Sequence, residues 1–198
     1  MTDKARNMIS LMIAFFLVFA FGGMPARAAD TPVWQTVGDL GFSPGIAEEF
    51  SLFISENGVP YVVNVDATSK YATAQKFSGV GWINAGAELS AGPAHELSFH
   101  IDNNIPYAAY SDINNANLAT VKKYNSAAQI WELVGNAGFT NAVVANTSGQ
   151  ADLSLFVCNG TPYIAYSDGT YSGKLTVKKF NGIEWQVVGG PAFSLEAA

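Results

Sequence analysis

Asp66, Asp112 and Asp168 stand at one recurring place in the chain, with Ser111 and Ser167 directly before the latter two. A carboxylate there can accept hydrogen bonds from the amides of the turn that follows, the usual work of an aspartate beside a loop. It can also accept hydroxyl hydrogen bonds from a ligand, or supply oxygens to a cation. Tyr71 and Tyr171 follow in the loops after Asp66 and Asp168, and an exposed ring can stack on a sugar while the aspartates take its hydroxyls. The candidate ligand-binding residues are therefore Asp66, Asp112, Asp168, Tyr71, Tyr171, Ser111 and Ser167. The stretch from Asp112 to Asn117 is rich in oxygen donors but lacks the glycine and distal glutamate of a calcium loop. No metal is expected.

Other reactive side chains read as structural. Lys76, Lys123 and Lys179 each precede the aromatic that ends an apolar run, the setting of a lysine whose stem packs while its ammonium reaches water. His100 replaces Phe53 and Phe156 of the other copies and is expected as a hydrogen-bonded core histidine. His95 lies in a long loop and is expected to be solvated. Cys158 has Ser55 and Asp102 as counterparts; it is expected to be buried and inert, and a lone cysteine can close no internal disulfide. Paired carboxylates at recurring spacing, a nucleophile motif, a histidine cluster and a glycine-rich phosphate loop are missing from the sequence. Neither a catalytic residue nor a cofactor is expected.

The elements that must position these residues repeat three times, over residues 51–86, 98–135 and 154–189. Each copy holds four short runs. The first begins at Ser51, Ser98 and Ser154; the second opens at Pro60, Pro106 and Pro162 and closes on the aspartates; the third ends at Phe77, Tyr124 and Phe180; the fourth starts at Trp82, Trp131 and Trp185. Asn57-Gly58, Asn103-Asn104 and Asn159-Gly160 separate the first two runs, where a tight hairpin needs the positive φ that Asn and Gly tolerate. Proline at the start of a strand loses no needed hydrogen bond. Trp34 to Gly38 matches the fourth run alone, so residues 34–38 are expected as an extra strand. The expected fold is all-β, with three four-stranded antiparallel repeats plus that N-terminal strand.

The motif Asn-Gly-x-Pro-Tyr-x-Ala-Tyr-Ser-Asp, followed by Val-Lys-Lys-Phe-Asn-Gly-x-x-Trp and Val-Gly, resembles the repeats of secreted bacterial β-propellers of the broad kelch-like or WD40-like type. The resemblance covers nearly all of residues 34–198 and implies that each repeat is a blade. The paired glycines of kelch repeats are absent and the Asp-box spacing of sialidases is not met, so no active residue carries over. Closed propellers have about four to eight blades. Three blades imply a propeller that is either truncated or closed by association through its open blade faces, and the surplus strand favours truncation.

Composition sets the compartment and the partners. Lys4 and Arg6 precede an apolar run from Met8 to Phe21, and Ala26-Arg27-Ala28 offers a cleavage site; residues 1–28 are expected as a signal peptide and 29–198 as the repeat domain. The net charge is −6, and without the basic leader it is more negative still, which disfavours nucleic acid. No second long apolar run exists, so no membrane association is expected after cleavage. In an antiparallel meander the connections alternate ends, and the long loops at 39–50, 87–97 and 136–153 share one end with those at 67–71, 113–117 and 169–173. Loops on a rigid scaffold carry recognition. The expectation is a secreted or periplasmic, non-enzymatic module binding a glycan or protein at that end; the alternative is a fragment of a propeller hydrolase or lyase acting on glycans or peptides.

Overall fold

The computed structural model describes residues 33–141 and 153–195. The expected signal peptide and part of the loop at 136–153 lie outside the described residues. By internal contacts the chain divides into Met1–Gln35 and Thr36–Ala198, and every strand named here belongs to the second unit.

The strands form three four-stranded antiparallel sheets, each in simple sequence order. The first holds β1 (Ala47–Ile54), β2 (Pro60–Asp66), β3 (Ala72–Phe77) and β4 (Trp82–Asn84); the second holds β5 (Ala94–Asp102), β6 (Ile105–Asp112), β7 (Leu118–Asn125) and β8 (Ile130–Leu133). The third holds β9 (Leu153–Cys158), β10 (Thr161–Asp168), β11 (Lys174–Phe180) and β12 (Trp185–Val187). The hairpins after β1, β5 and β9 turn through Gly58 (φ 80°), Asn103 and Asn104 (50° and 60°), and Asn159 and Gly160 (51° and 75°). In the second and third sheets these are the left-handed angles of a two-residue hairpin following the strand twist, and in the first, where Ser55 and Val59 close a longer loop, Gly58 alone takes the left-handed place. In each sheet the opening proline of the second strand pairs with the last apolar residue of the first, as Ile54 with Pro60, Ile101 with Pro106 and Val157 with Pro162.

The sheets stack face to face, and the core lies between them. Val63, Val65 and Ala74 of the first sheet meet Phe99, Ile101 and Tyr110 of the second. Ala109 and Val121 of the second meet Leu155, Val157, Ile164 and Tyr166 of the third. Strand β5 touches both β1 and β9, and the rings of Phe53, His100 and Phe156 run in a row across them, with centroids 5.0 and 4.4 Å apart. The first strands thus lie together on the inside. At the outer end, the indole of Trp131 donates to the Ala85 carbonyl at 2.8 Å and that of Trp185 to the Val134 carbonyl at 3.0 Å, tying each sheet to the one before it.

Three expectations are corrected. Residues 34–38 form no strand; instead the Val37 carbonyl accepts the Trp82 indole at 2.8 Å, the bond that Ala85 and Val134 make in the later repeats. A strand requires a neighbour's ladder, and this stretch is held by a side chain. The apolar pattern of the first strands predicts burial of Leu52, Ile54, Ile101, Leu155 and Val157 alike, yet Leu52 and Ile54 are about 60% exposed, because among the described residues no sheet covers the face they share. Cys158 is exposed, since it follows the inward-facing Val157 and pleating turns it outward.

Candidate functional site at the long-loop end

The aspartates that close the second strands organise the loops beyond them. Asp168 caps a short 3-10 turn, Gly169–Tyr171, accepting from the Thr170 amide at 3.0 Å, and its other oxygen accepts the Tyr166 hydroxyl at 3.2 Å. Asp112 does the same for Ile113–Asn115, accepting from the Asn114 amide at 3.2 Å, the Asn115 side-chain amide at 2.8 Å and the Thr120 hydroxyl at 3.2 Å. Ser111 and Ser167 latch the far ends of the same loops, donating to the carbonyls of Asn117 at 3.0 Å and Gly173 at 2.9 Å. All four side chains are buried. Burial beside these carboxylates pushes the Tyr110 and Tyr166 phenols well above their ordinary pKa, with the Asp112 and Asp168 charges adding to it.

The first sheet differs. Asp66 is more open, and one oxygen accepts from the Ser69 amide at 2.7 Å, the Ser69 hydroxyl at 2.9 Å and the Thr68 amide at 3.1 Å. The Ser69 amide and hydroxyl hold its carboxyl below the usual carboxylate range. Its loop carries no helical turn, and Tyr71 instead bridges to Pro93 of the next connection. Tyr71 stays half-buried, whereas Tyr171, riding on its 3-10 turn, is exposed. Of the sequence-derived candidates, Asp66, Tyr71 and Tyr171 have surface open to solvent, while Asp112, Asp168, Ser111 and Ser167 point into the fold.

A cleft of about 530 Å³ opens between the first two sheets at this end, lined by Thr73, Asn84, Glu88, Ser90 and Lys122 among others. Burial lowers the Lys122 pKa, and the nearby Asp112 charge opposes that shift. Sequence reading passed over this lysine in favour of its neighbour Lys123, but the repeat contained the signal. Gln75, Lys122 and Lys178 form a second series one residue earlier, on the opposite face of the third strand. In that series Gln75 donates to the Phe42 carbonyl at 3.4 Å and Lys178 to the Phe139 carbonyl at 3.1 Å. Lys76 lies 5.9 Å from the Tyr124 ring centroid, and Lys123 lies 3.8 Å from Glu132, an exposed pairing of little energetic weight.

His100 sits between two aromatic rings on the inner strands. Burial lowers its pKa, opposed by the Asp102 charge and a backbone hydrogen bond at Val157. His95, expected in a long loop, instead lies in β5 opposite Ser111, 3.7 Å from Glu49 and half-exposed. Among the described residues no group of three or more His, Cys, Asp or Glu side chains is placed to hold a metal ion. The long-loop end therefore offers stacking surface, hydrogen-bond acceptors and the partly desolvated ammoniums of Lys122 and Lys178, all held on a stiff scaffold.

No family model matches the sequence, and no curated protein matches it. Solved structures do. The GH93 α-L-arabinofuranosidase of Fusarium graminearum, in complex with arabinobiose, superposes with a TM-score of 0.54 at 13% identity, over 79% of this chain and 52% of the enzyme. The Penicillium chrysogenum α-L-arabinanase complexed with arabinobiose gives 0.50 at 12% identity, over 75% of this chain and 51% of that one. The three sheets are β-propeller blades. The chain spans about half the length of these matched structures, and at such identity the likeness concerns the fold.

Proposed function

We propose that this chain is an exported, non-enzymatic module that binds a glycan at its long-loop end. The observation that carries the proposal is the division of labour there: Asp112, Asp168, Ser111 and Ser167 hold the loops of the second and third blades from beneath, leaving Tyr171 on the solvent side, while Asp66 and Tyr71 have surface open to solvent on the first blade. A flat ring and a free carboxylate oxygen on a preordered surface suit a sugar's apolar face and its hydroxyls. Two similarly folded proteins were solved with arabinobiose, which makes arabino-oligosaccharides the first ligands to try. The basic residues Lys4 and Arg6 before the apolar run from Met8 to Phe21 support export, and the acidic balance disfavours nucleic acid.

Calorimetric titration with arabino-oligosaccharides and a glycan array tests the reading. The wild-type chain should bind at least one glycan class, and Tyr171→Ala combined with Asp66→Ala should remove binding while leaving the melting temperature within a few degrees. Failure of the wild type to bind across the array, or unchanged binding by the double variant, refutes the proposal. A second reading, a portion of a glycan-cleaving enzyme, is favoured by the glycosidase names of the matched structures and by the half-length coverage. Release of reducing ends from arabinan by the purified chain would favour that reading.

A further inference from the structure

After each tryptophan repeat the chain places an apolar side chain followed by a hydroxyl: Phe42-Ser43, Leu89-Ser90, Phe139-Thr140 and Phe193-Ser194. The structure makes these pairs counterparts. Ser90, Thr140 and Ser194 accept the backbone amides of Ala72, Ala119 and Leu175 at 2.8, 3.0 and 3.1 Å. Ser43 and Ser90 share a second bond, donating to the carbonyls of Gly45 and Gly92 at 2.8 and 2.7 Å. Only the connection leaving the first blade lacks the phenyl ring, and its run from Gly86 to the pair is one residue shorter than those from Gly38, Gly135 and Gly189.

At the neighbouring seams that phenylalanine fills space and supplies an acceptor. Phe42 stacks on Trp82 with centroids 4.2 Å apart, and Phe139 on Trp185 at 4.1 Å. The carbonyls of the same two residues accept Gln75 Nε2 at 3.4 Å and Lys178 Nζ at 3.1 Å. Lys178 is thereby covered and only 7% exposed. Between the first two blades Leu89 replaces the ring, and neither contact forms. The Trp131 ring pairs with Tyr124 of its own blade. Lys122, third in the series with Gln75 and Lys178, has among the described residues no hydrogen-bond acceptor and no carboxylate within ion-pair distance. It lines the cleft of about 530 Å³ together with Thr73, Asn84, Glu88 and Ser90, a volume within the range of small-molecule sites.

We infer that this cleft is a subsite for the carboxylate of a uronate residue in a glycan, with Lys122 as its charged donor. The inference rests on the glycan-binding reading and assigns the charge of the sugar. A partly buried ammonium without an acceptor gains most from an ionised one, because charge-assisted hydrogen bonds are about twice as strong as neutral ones. Burial already lowers the Lys122 pKa. The Asp112 charge opposes that shift, but its oxygens are occupied by the Asn114 amide, the Asn115 side chain and the Thr120 hydroxyl. Asn84 and Glu88 are exposed and offer an amide and a carboxylate to the hydroxyls of the same sugar. Glu88 also sets the direction of entry: its charge repels an anion placed beside it and leaves the Lys122 end for the uronate. The wall at Ser90 runs on to Pro93, which bridges to Tyr71, so the cleft adjoins a ring of the candidate glycan surface.

Calorimetric titration of the wild-type chain with galacturonate oligomers, beside neutral arabino-oligosaccharides and acetate, tests this. The galacturonate oligomers should bind, more weakly as salt is raised, and acetate should compete poorly. Lys122→Gln, which installs the residue that the first blade carries as Gln75, should lower their affinity at least about tenfold while the melting temperature stays within a few degrees. Ala87→Trp, at an exposed position lining the cleft, should block them with the lysine charge kept. A wild type that binds the neutral oligosaccharides but not the galacturonates overturns this inference and leaves the glycan reading standing; one that binds no glycan removes both. Galacturonate binding that survives Lys122→Gln, or acetate that competes as strongly as the oligomers, also overturns it.

Discussion

Leu52 and Leu155 hold the same place in their repeats, so truncating each to alanine removes the same atoms from two different surroundings. Leu155 is 5% exposed within the core shared by the second and third blades, whereas Leu52 is 60% exposed. A buried leucine loses its transfer free energy and leaves a cavity, together about 2 to 5 kcal/mol. Leu52 buries less than half of its surface and leaves no enclosed void, so its loss is roughly 0.5 to 1 kcal/mol. For a chain of this size each kcal/mol moves Tm by roughly 2 to 4 °C. Leu155→Ala should therefore melt about 5 to 15 °C below wild type and Leu52→Ala within about 3 °C. Urea titrations followed by tryptophan fluorescence, at concentrations too low for association, give the free energies directly. The slope with denaturant should be unchanged, so that the midpoint shift reads stability alone. Equal losses at the two positions would refute the stacking order of the blades, because the burial difference follows from which sheet has a predecessor.

The remaining predictions use the same repeat logic. Gly86 and Gly189 both have positive φ, but an added Cβ at Gly86 would meet Tyr124 Cε2 at 2.8 Å and the Gln129 carbonyl at 2.9 Å, while at Gly189 it meets nothing within 4 Å; chemical denaturation should show Gly86→Ala losing more than Gly189→Ala beyond the shared backbone strain of about 1 to 2 kcal/mol. Asp168→Ala leaves the Thr170 amide and Tyr166 hydroxyl without their acceptor and should cost about 1 to 3 kcal/mol in a urea titration. The Asp66 carboxyl is held below its ordinary value by Ser69, so its stabilisation is present above pH about 4 and lost as pH falls through the lowered value; the wild type should lose more stability than Asp66→Asn between pH 6 and pH 3. The Tyr110 and Tyr166 phenols are raised by burial, so their contribution is intact below pH about 10 and lost as pH rises further. Their phenolate absorbance should appear together with alkaline unfolding, and its appearance in a chain with native circular dichroism would contradict the buried placement.

The repeat spacing determined a great deal without any structure, because each blade is built from local rules. Asn-Gly pairs set the hairpins, prolines mark the strand starts, tryptophans mark the fourth strands, and the three sheets follow in sequence order. Which end carries the long loops also follows from alternation of the connections along a meander. Sequence could not say which member of a repeated set has a neighbour. Leu52, Phe99 and Leu155 are indistinguishable by pattern, yet two are buried and one is exposed, since burial here depends on a sheet that is distant in the chain. The same holds for the aspartates. Asp66, Asp112 and Asp168 are equivalent in sequence, but only packing made Asp168 a buried cap with a tyrosine partner and left Asp66 nearer to solvent. Residues 34–38 carry a strand's sequence without a strand's neighbour, and the ladder that makes a strand is a tertiary property: its hydrogen bonds belong to two segments and cannot be supplied by one.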